Sequence, residues 1–217
     1  MPIDSLSPPR QPLHRRGASL FIGVIWLGLC VIGLAALSNY ESHAGSRRAS
    51  PALWPEESLV ERTAGKPTLI LFAHSHCPCT RATLGELDAL LAQNSAPVRV
   101  HVVFYDPTEG SEQLPSTDLR NVAAAIPGVE LHSDMEGSET VRFGADTSGY
   151  VVFYDETGKL GFSGGITASR GHAGENPGRS ALADQLNKRA VLAASPPVFG
   201  CPIFGTGELR KTIVCPQ

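Results

Sequence analysis

The sequence has no excess of basic residues. Its 217 residues include 18 lysines and arginines against 21 acidic residues, so the formal net charge is −3. A nucleic-acid-binding surface needs clustered positive charge, and this balance gives no indication of one. Internal repeats are absent, and no motif typical of nucleotide, flavin or haem binding occurs. The sequence therefore predicts no nucleic-acid partner and no bound cofactor.

Charged residues are missing altogether between Gly17 and Asn39. About 20 apolar residues cross a bilayer, whereas the apolar part of a cleaved signal peptide usually covers about 7–15 residues. The run therefore predicts an uncleaved transmembrane anchor at 17–39, with a cleaved signal as the alternative. Three arginines within residues 1–16 favour a cytoplasmic tail there and a domain that faces a bacterial periplasm.

Cysteine is scarce, with five residues in the chain. Cys30 lies in the apolar run, where we interpret it as a filler. The other four form two pairs, Cys77/Cys79 and Cys201/Cys215. Because disulfides persist outside the cytoplasm, we interpret Cys201 and Cys215 as a structural disulfide. The alternative is that the tail folds back and Cys201 exchanges with the first pair.

The apolar pattern predicts one α/β domain at 56–193, after a linker at 40–55 and before a tail at 194–217. Continuous apolar runs predict buried strands at Thr68–Ala73 and Val98–Tyr105. The order of elements indicates a parallel β-α-β half followed by an antiparallel hairpin and a helix, hence a mixed sheet between helices. The remaining predicted elements are helices at Cys79–Leu91, Leu119–Ile126, Gly137–Phe143 and Arg179–Leu192, a strand at Val129–His132, and a hairpin at Gly149–Gly165 that turns at Asp155–Gly158.

The stretch HSHCPCTR, at residues 74–81, joins the first strand to the first helix of this domain. Pro78 suits the first helical position, which leaves Cys77 among the free N–H groups at the helix start. Those groups and the helix dipole favour a thiolate, which is the reactive form of cysteine. The pair Cys77 and Cys79 then predicts redox chemistry. A soft-metal site that adds His74 and His76, and a pair of inert thiols, are the alternatives.

A second segment, Thr167–Asn176, is rich in glycine and polar residues. The predicted strand directions bring it to the sheet edge where the cysteine pair lies. Arg170 could stabilise a thiolate or bind an anionic group, and His172 could act as a general base. The alternative is that this loop only satisfies its own turns and caps the last helix. His101 and His132, on predicted strands, are interpreted as packed or surface histidines.

Two segments resemble the thioredoxin-like superfamily, namely LILFAHSHCPC and FGADTSGYVVFYDETGKL. The chain is similar to the membrane-anchored extracytoplasmic TlpA and ResA type, and to RedB-type proteins. The resemblance implies a three-layer thioredoxin-like sandwich at about 56–192 behind the transmembrane helix. It also implies thiol–disulfide exchange on protein substrates, in which Cys77 attacks and Cys79 resolves. An electron-transfer partner in the membrane or the periplasm follows from that activity.

The chain departs from the family at two places. The usual Cys-x-x-Cys is one residue shorter here, and Cys77-Pro78-Cys79 would close a tight, easily reduced ring. The family's cis-proline, which helps to present substrate thiols, is replaced at about Ser148. The resemblance therefore implies substrate-positioning roles for Pro78, Thr147 and Ser148. Copper proteins of the SCO type share the fold. The alternative function is therefore that of a copper chaperone, with Cys77, Cys79, His74 and His76 as its ligands.

Overall fold

The structure is a computed structural model. It describes residues 13–94, 96–105, 118–189 and 192–204. The chain divides into two compact units, residues 1–40 and residues 41–217. Cys215 lies outside the described residues, so its predicted disulfide with Cys201 stays a prediction.

The N-terminal unit consists of a long apolar helix, α1, at Leu13–Ser42. Within the described residues it is the one helix long and apolar enough to cross a membrane, with a mean hydropathy of 2.7 over Ser19–Ser42. Its large apolar side chains are exposed, including Phe21 and Trp26. A run of this length matches the hydrocarbon thickness of a bilayer. The helix extends beyond the predicted span, 17–39, at both ends.

The second unit is built on a five-stranded sheet in the order β3-β2-β1-β4-β5. The three strands β1, β2 and β3 are parallel, β4 is antiparallel to β1, and β5 is antiparallel to β4. Continuous apolar runs form the two central strands because both faces of these strands are covered. The predicted mixed sheet is confirmed. The strands are β1 at Thr68–His74, β2 at Arg99–Tyr105, β3 at Val129–Ser133, β4 at Tyr150–Tyr154 and β5 at Leu160–Gly164.

Among its described residues, this unit has four helices beside the sheet: α2 at Cys79–Gln93, α3 at Asp118–Ala124, α4 at Ser138–Arg142 and α5 at Pro177–Leu186. The predicted end of the last helix, at Leu192, is wrong. Helix α5 stops at Leu186 because the chain turns at Asn187 and enters the left-handed region at Lys188, with φ 56°. It begins at Pro177, earlier than predicted, because the Asn176 side chain accepts a hydrogen bond from the Arg179 N–H at 2.8 Å.

Each face of the sheet has its own apolar core. On one face, leucines of α2 and α5 pack with side chains of α3 against strand residues such as Leu71 and Phe153. On the other face, Phe72 and Tyr154 pack against Phe143 and against side chains near the C-terminus, including Val198 and Phe204. Helices and irregular segments thus enclose a mixed sheet, and the domain has a thioredoxin-like fold.

The residues predicted as a linker, 40–55, have no helix or strand after the end of α1 apart from a single bridge at Leu53. From Gly45 onward they nevertheless pack on the domain, beginning with a hydrogen bond from the Gly45 N–H to the Val198 carbonyl at 2.8 Å. The Trp54 ring meets the rings of Phe143 and Tyr154 edge-on, with centroids 5.4 and 5.3 Å apart. The Tyr154 hydroxyl donates a hydrogen bond to the Pro51 carbonyl at 2.9 Å. This part of the predicted linker therefore belongs to the core of the domain.

Candidate active site: three thiols at the start of helix α2

Cys77 lies between the buried central strand β1 and helix α2. Its N–H donates to the His74 carbonyl, and its own carbonyl accepts from the Thr80 N–H, both at 3.1 Å. Pro78 has helical backbone angles, φ −63° and ψ −27°, and α2 begins one residue later, at Cys79. Cys77 is therefore held at the positive end of the helix, as its sequence context predicts.

A third thiol joins the predicted pair. The Sγ atoms of Cys77, Cys79 and Cys201 all lie within 4.8 Å of one another. All three thiols are free. Cys77 is 1% exposed, while Cys79 and Cys201 are half-buried. The structure thus places the tail cysteine beside the pair, which is the arrangement required by the alternative interpretation of Cys201.

The three thiols have different acidities. Burial raises the pKa of Cys77. Hydrogen bonding by the Cys201 thiol and backbone and by Thr80 lowers it by a larger amount, so the pKa of Cys77 lies below its ordinary value. Burial and the negative charge of a Cys77 thiolate raise the pKa of Cys79. The same two causes, with the hydrogen bond to Cys77, raise the pKa of Cys201 to about 12. Cys77 is therefore the most acidic of the three thiols, because hydrogen bonds from its neighbours favour its thiolate.

Ser148 is buried at the centre of a hydrogen-bond chain that ends on Cys77. The Ser148 Oγ accepts from the His74 N–H at 2.9 Å and bonds the Thr80 hydroxyl at 2.8 Å. Because the Thr80 hydroxyl in turn donates to Cys77, the Ser148 hydroxyl serves as the donor to Thr80. Ser148 is thus connected to the Cys77 sulfur through a single side chain, that of Thr80.

Cys201 is carried by the C-terminal strap, which we define as residues 194–204. The strap runs antiparallel to the segment before β4, with a bridge between Thr147 and Pro202. The Ser148 N–H donates to the Cys201 carbonyl, and the Ile203 N–H donates to the Asp146 carbonyl, each at 2.9 Å. Thr147 also donates through its hydroxyl to the Ser46 carbonyl at 2.7 Å. Thr147 and Ser148, predicted to position substrates, therefore pair with the chain's own tail.

The loop Thr167–Asn176 brings Arg170 to the thiols. The Arg170 guanidinium donates to the Gly200 carbonyl, next to Cys201. Its positive charge acts against the burial that raises the pKa of Cys79 and Cys201. His172 is exposed, and its Nδ1 bonds the Arg170 carbonyl at 2.8 Å, so a role as general base stays a prediction.

The histidines of the alternative metal set, His74 and His76, are not members of the sulfur cluster found among the described residues. The His76 N–H donates to His74 Nδ1 at 3.2 Å, and His76 is exposed. In the part of the chain that the structure describes, the cluster of close ligand atoms at this site comprises the three sulfurs and neither histidine. A soft metal ion would therefore find thiolates here rather than the predicted mixture of thiolate and imidazole.

A second group of possible ligands consists of His101, Glu130 and His132 on β2 and β3. The Nδ1 of buried His101 and the Nε2 of His132 are 2.9 Å apart. The sequence pattern places both histidines on strands, but it does not show that they touch. The same applies to Cys201, whose position beside Cys77 depends on long-range packing.

No protein-family model and no curated protein matches the chain. An uncharacterised conserved protein from Geobacillus kaustophilus shares 21% identity at a TM-score of 0.53, over 76% of this chain and 94% of that one. A hypothetical protein from Sinorhizobium meliloti shares 18% at 0.53, over 76% and 96%. These two likenesses show the fold alone. The exposed lipoprotein thioredoxin of Streptococcus pneumoniae shares 20% over 57% and 85%, but its TM-score of 0.41 is too low to support an inference.

Proposed function

We propose that this chain is a membrane-anchored thiol–disulfide oxidoreductase that acts on protein thiols and disulfides through Cys77. One observation carries the proposal. Cys77 lies at the start of α2 as the common hydrogen-bond acceptor of Thr80 and Cys201, with two other thiols within 4.8 Å. A thiolate at a helix N-terminus beside a second thiol is the arrangement that thiol–disulfide exchange requires.

The exchange proceeds in two steps. The Cys77 thiolate attacks one sulfur of a substrate disulfide, which breaks that bond and releases a substrate thiolate that takes up a proton. A second thiol of the protein then loses its proton and attacks the Cys77 sulfur, which releases the other substrate thiolate. The substrate gains two electrons, and the protein is left with one disulfide. The reverse sequence oxidises a substrate dithiol. Cys79 is the second thiol that the family resemblance implies.

Helix α1 and the family resemblance support a location in the inner membrane, with the domain facing the periplasm. This would make the chain a protein of the TlpA or ResA type, and it also resembles RedB-type proteins. In that compartment the Cys77 centre exchanges electrons with a partner in the membrane or the periplasm. A membrane-impermeant maleimide added to intact spheroplasts should label Cys79 and Cys201. Labelling only after lysis would contradict the orientation.

The activity is tested by the reduction of insulin disulfides with dithiothreitol as the source of electrons. The Cys77→Ser variant should fall to the rate of dithiothreitol alone, because the attacking sulfur is missing. The Cys30→Ser variant is the matched control, since it removes a thiol from α1 and should keep the full rate. Equal activity of the Cys77→Ser variant and the wild-type protein would overturn the proposal.

The three sulfurs also favour a second candidate, a copper chaperone that holds Cu(I) as its cargo. Titration with Cu(I) in the presence of a competing chelator separates the two candidates. One tightly bound ion per chain, together with no insulin reduction, would establish the chaperone. Insulin reduction without competitive copper binding would exclude it.

A further inference from the structure

We propose that Cys201, on the C-terminal strap, is the thiol that closes the intramolecular disulfide with Cys77. This inference rests on the proposed function and changes its resolving residue from Cys79 to Cys201. It assigns the strap a place in the reaction cycle, as a built-in partner strand that carries its own cysteine.

The first support is the way the strap is fixed. Cys201 lies between two backbone hydrogen bonds to residues 146–148, from Ser148 to its carbonyl and from Ile203 to Asp146, each 2.9 Å long. Gly200 is buried against Ser148, since a Cβ on Gly200 would lie 1.9 Å from the Ser148 carbonyl oxygen. This close antiparallel approach sets the backbone of Cys201 beside the active site.

The second support is the contact between the two sulfur-bearing residues. The Sγ atoms of Cys77 and Cys201 lie within 4.8 Å of each other, and hydrogen bonding by Cys201 is among the causes that lower the pKa of Cys77. Arg170 holds the carbonyl of the preceding residue, Gly200, and places a positive charge near the Cys201 sulfur. That charge stabilises the thiolate which Cys201 must become when it attacks.

The third support is the geometry of the competing pair. Cys77 and Cys79 flank Pro78, whose backbone is helical, with φ −63° and ψ −27°. A Cys77–Cys79 bond would close a small ring through Pro78, although their sulfurs also lie within 4.8 Å of each other. The preferred geometry of a disulfide is difficult to reach in a ring of that size without distorting the start of α2. Cys201 approaches from a separate segment, so its bond to Cys77 closes no ring of this kind.

The step can be written with oxidised glutathione as the oxidant. The Cys77 thiolate attacks one glutathione sulfur, and the other glutathione leaves as a thiolate that takes up a proton. Cys201 then loses its proton and attacks the Cys77 sulfur, which expels the second glutathione as a thiolate. Two protein thiols have lost two electrons and two protons, and one oxidised glutathione has become two reduced molecules. Cys79 keeps its thiol throughout.

The test is disulfide mapping of the full-length protein in detergent. The reduced protein is treated with oxidised glutathione, free thiols are alkylated, and unreduced peptides are identified by mass spectrometry. We expect a cross-link between the Cys77 and Cys201 peptides, with Cys79 alkylated. A Cys77–Cys79 link with Cys201 alkylated would overturn the inference, and so would a Cys201–Cys215 link.

Three variants sharpen the result. Cys79→Ser and Cys215→Ser should still release both glutathione molecules and form the same cross-link. Cys201→Ser should stop at glutathione bound to Cys77, or close the Cys77–Cys79 bond at least tenfold more slowly. If the Cys201→Ser variant formed an intramolecular disulfide at the wild-type rate, the inference would be wrong. The proposed function would still stand, because Cys77 would have reacted with glutathione. Failure of Cys77 to form any mixed disulfide, in every variant, would remove the proposed function itself.

Discussion

At the scale of single residues, the state of Cys77 depends on groups from its own helix and on groups from distant parts of the sequence. Burial alone would raise its pKa and leave an inert thiol. Thr80, one turn into α2, and Cys201, on the strap, reverse that direction through hydrogen bonds. Ser148 orients the Thr80 hydroxyl from the opposite side. The reactivity of this sulfur is therefore a property of packing rather than of the Cys-Pro-Cys sequence alone.

Replacing Thr80 with Val should raise the pKa of Cys77. A hydrogen bond to a charged group contributes about 1.5–3 kcal/mol, which corresponds to roughly one to two pKa units. The pH dependence of Cys77 alkylation by iodoacetamide, followed by mass spectrometry, should shift to higher pH by about that amount. Thr80→Ser keeps the hydroxyl and is the control. An identical alkylation profile in Thr80→Val would show that Thr80 does not set the thiolate.

At the scale of elements, the C-terminal strap closes the open face of the sheet and covers the active site. Three of its apolar side chains, Val198, Ile203 and Phe204, are buried in the second apolar core. Each contributes about 1.5–3 kcal/mol, so the strap is firmly docked at both sides of Cys201. The docked strap therefore restricts the access of large reactants to Cys77, and a protein substrate reaches it when the strap moves aside.

Gly200→Ala should loosen the strap where it crosses Ser148. The added Cβ would lie 1.9 Å from the Ser148 carbonyl oxygen, so the backbone of the strap must move away. We expect Cys77 to react several-fold faster with the bulky reagent DTNB, measured at a pH where the thiol is fully ionised in both proteins. Gly85→Ala is the matched control, because that exposed position in α2 has open space. Equal acceleration in both variants would contradict a covering role for the strap.

The elements differ in how far the sequence predicts them. The pattern of TLILFA and of the leucines after Cys79 predicts β1 and α2, because local periodicity and burial agree there. The strap has no such period, and its position comes from contacts with residues 146–148 that lie far away in sequence. The proximity of Cys201 to Cys77 could therefore be named only as an alternative. Arg170 was easier to place, since strand directions alone bring its loop to the correct edge.

At the scale of the whole domain, a buried histidine couples folding to pH. His101 on β2 faces His132, Glu130 and Arg99. Burial, with the nearby His132 and Arg99, lowers the pKa of His101 to about 4, against the opposing effect of Glu130. In the unfolded chain the ordinary value of about 6.5 applies. Between these values the unfolded state binds more protons, so stability is lost as the pH falls from about 6.5 towards 4.

The free energy of unfolding should therefore decrease by roughly 3 kcal/mol over that pH window on account of His101. Urea denaturation at a series of pH values, in detergent, measures the slope. His101→Asn should flatten it, whatever its effect on stability at neutral pH. His43→Gln changes an exposed histidine and should leave the slope as it is. A His101→Asn slope equal to that of the wild-type protein would refute the linkage.

The fold class could be predicted from the order of strands and helices, since few arrangements satisfy a parallel half followed by an antiparallel hairpin. The packing that covers the second face of the sheet, the face of Phe72 and Tyr154, could not be predicted from that order. It comes from irregular segments at 43–60 and 194–204, where side chains such as Trp54 and Phe204 fill the space with no repeating pattern. The predicted linker joined the core for the same reason.

Because Cys201 follows Cys77 by more than a hundred residues, the two halves of the site are synthesised at different times. A chain synthesised from its N-terminus presents β1, α2 and their two cysteines before the strap has been made. During that interval Cys77 lacks both its cover and the donors of Cys201, so newly emerged chains are more open to foreign disulfides than finished ones. Once the strap has been synthesised and has docked, it covers Cys77. A chain that lacks the strap would leave this thiol exposed.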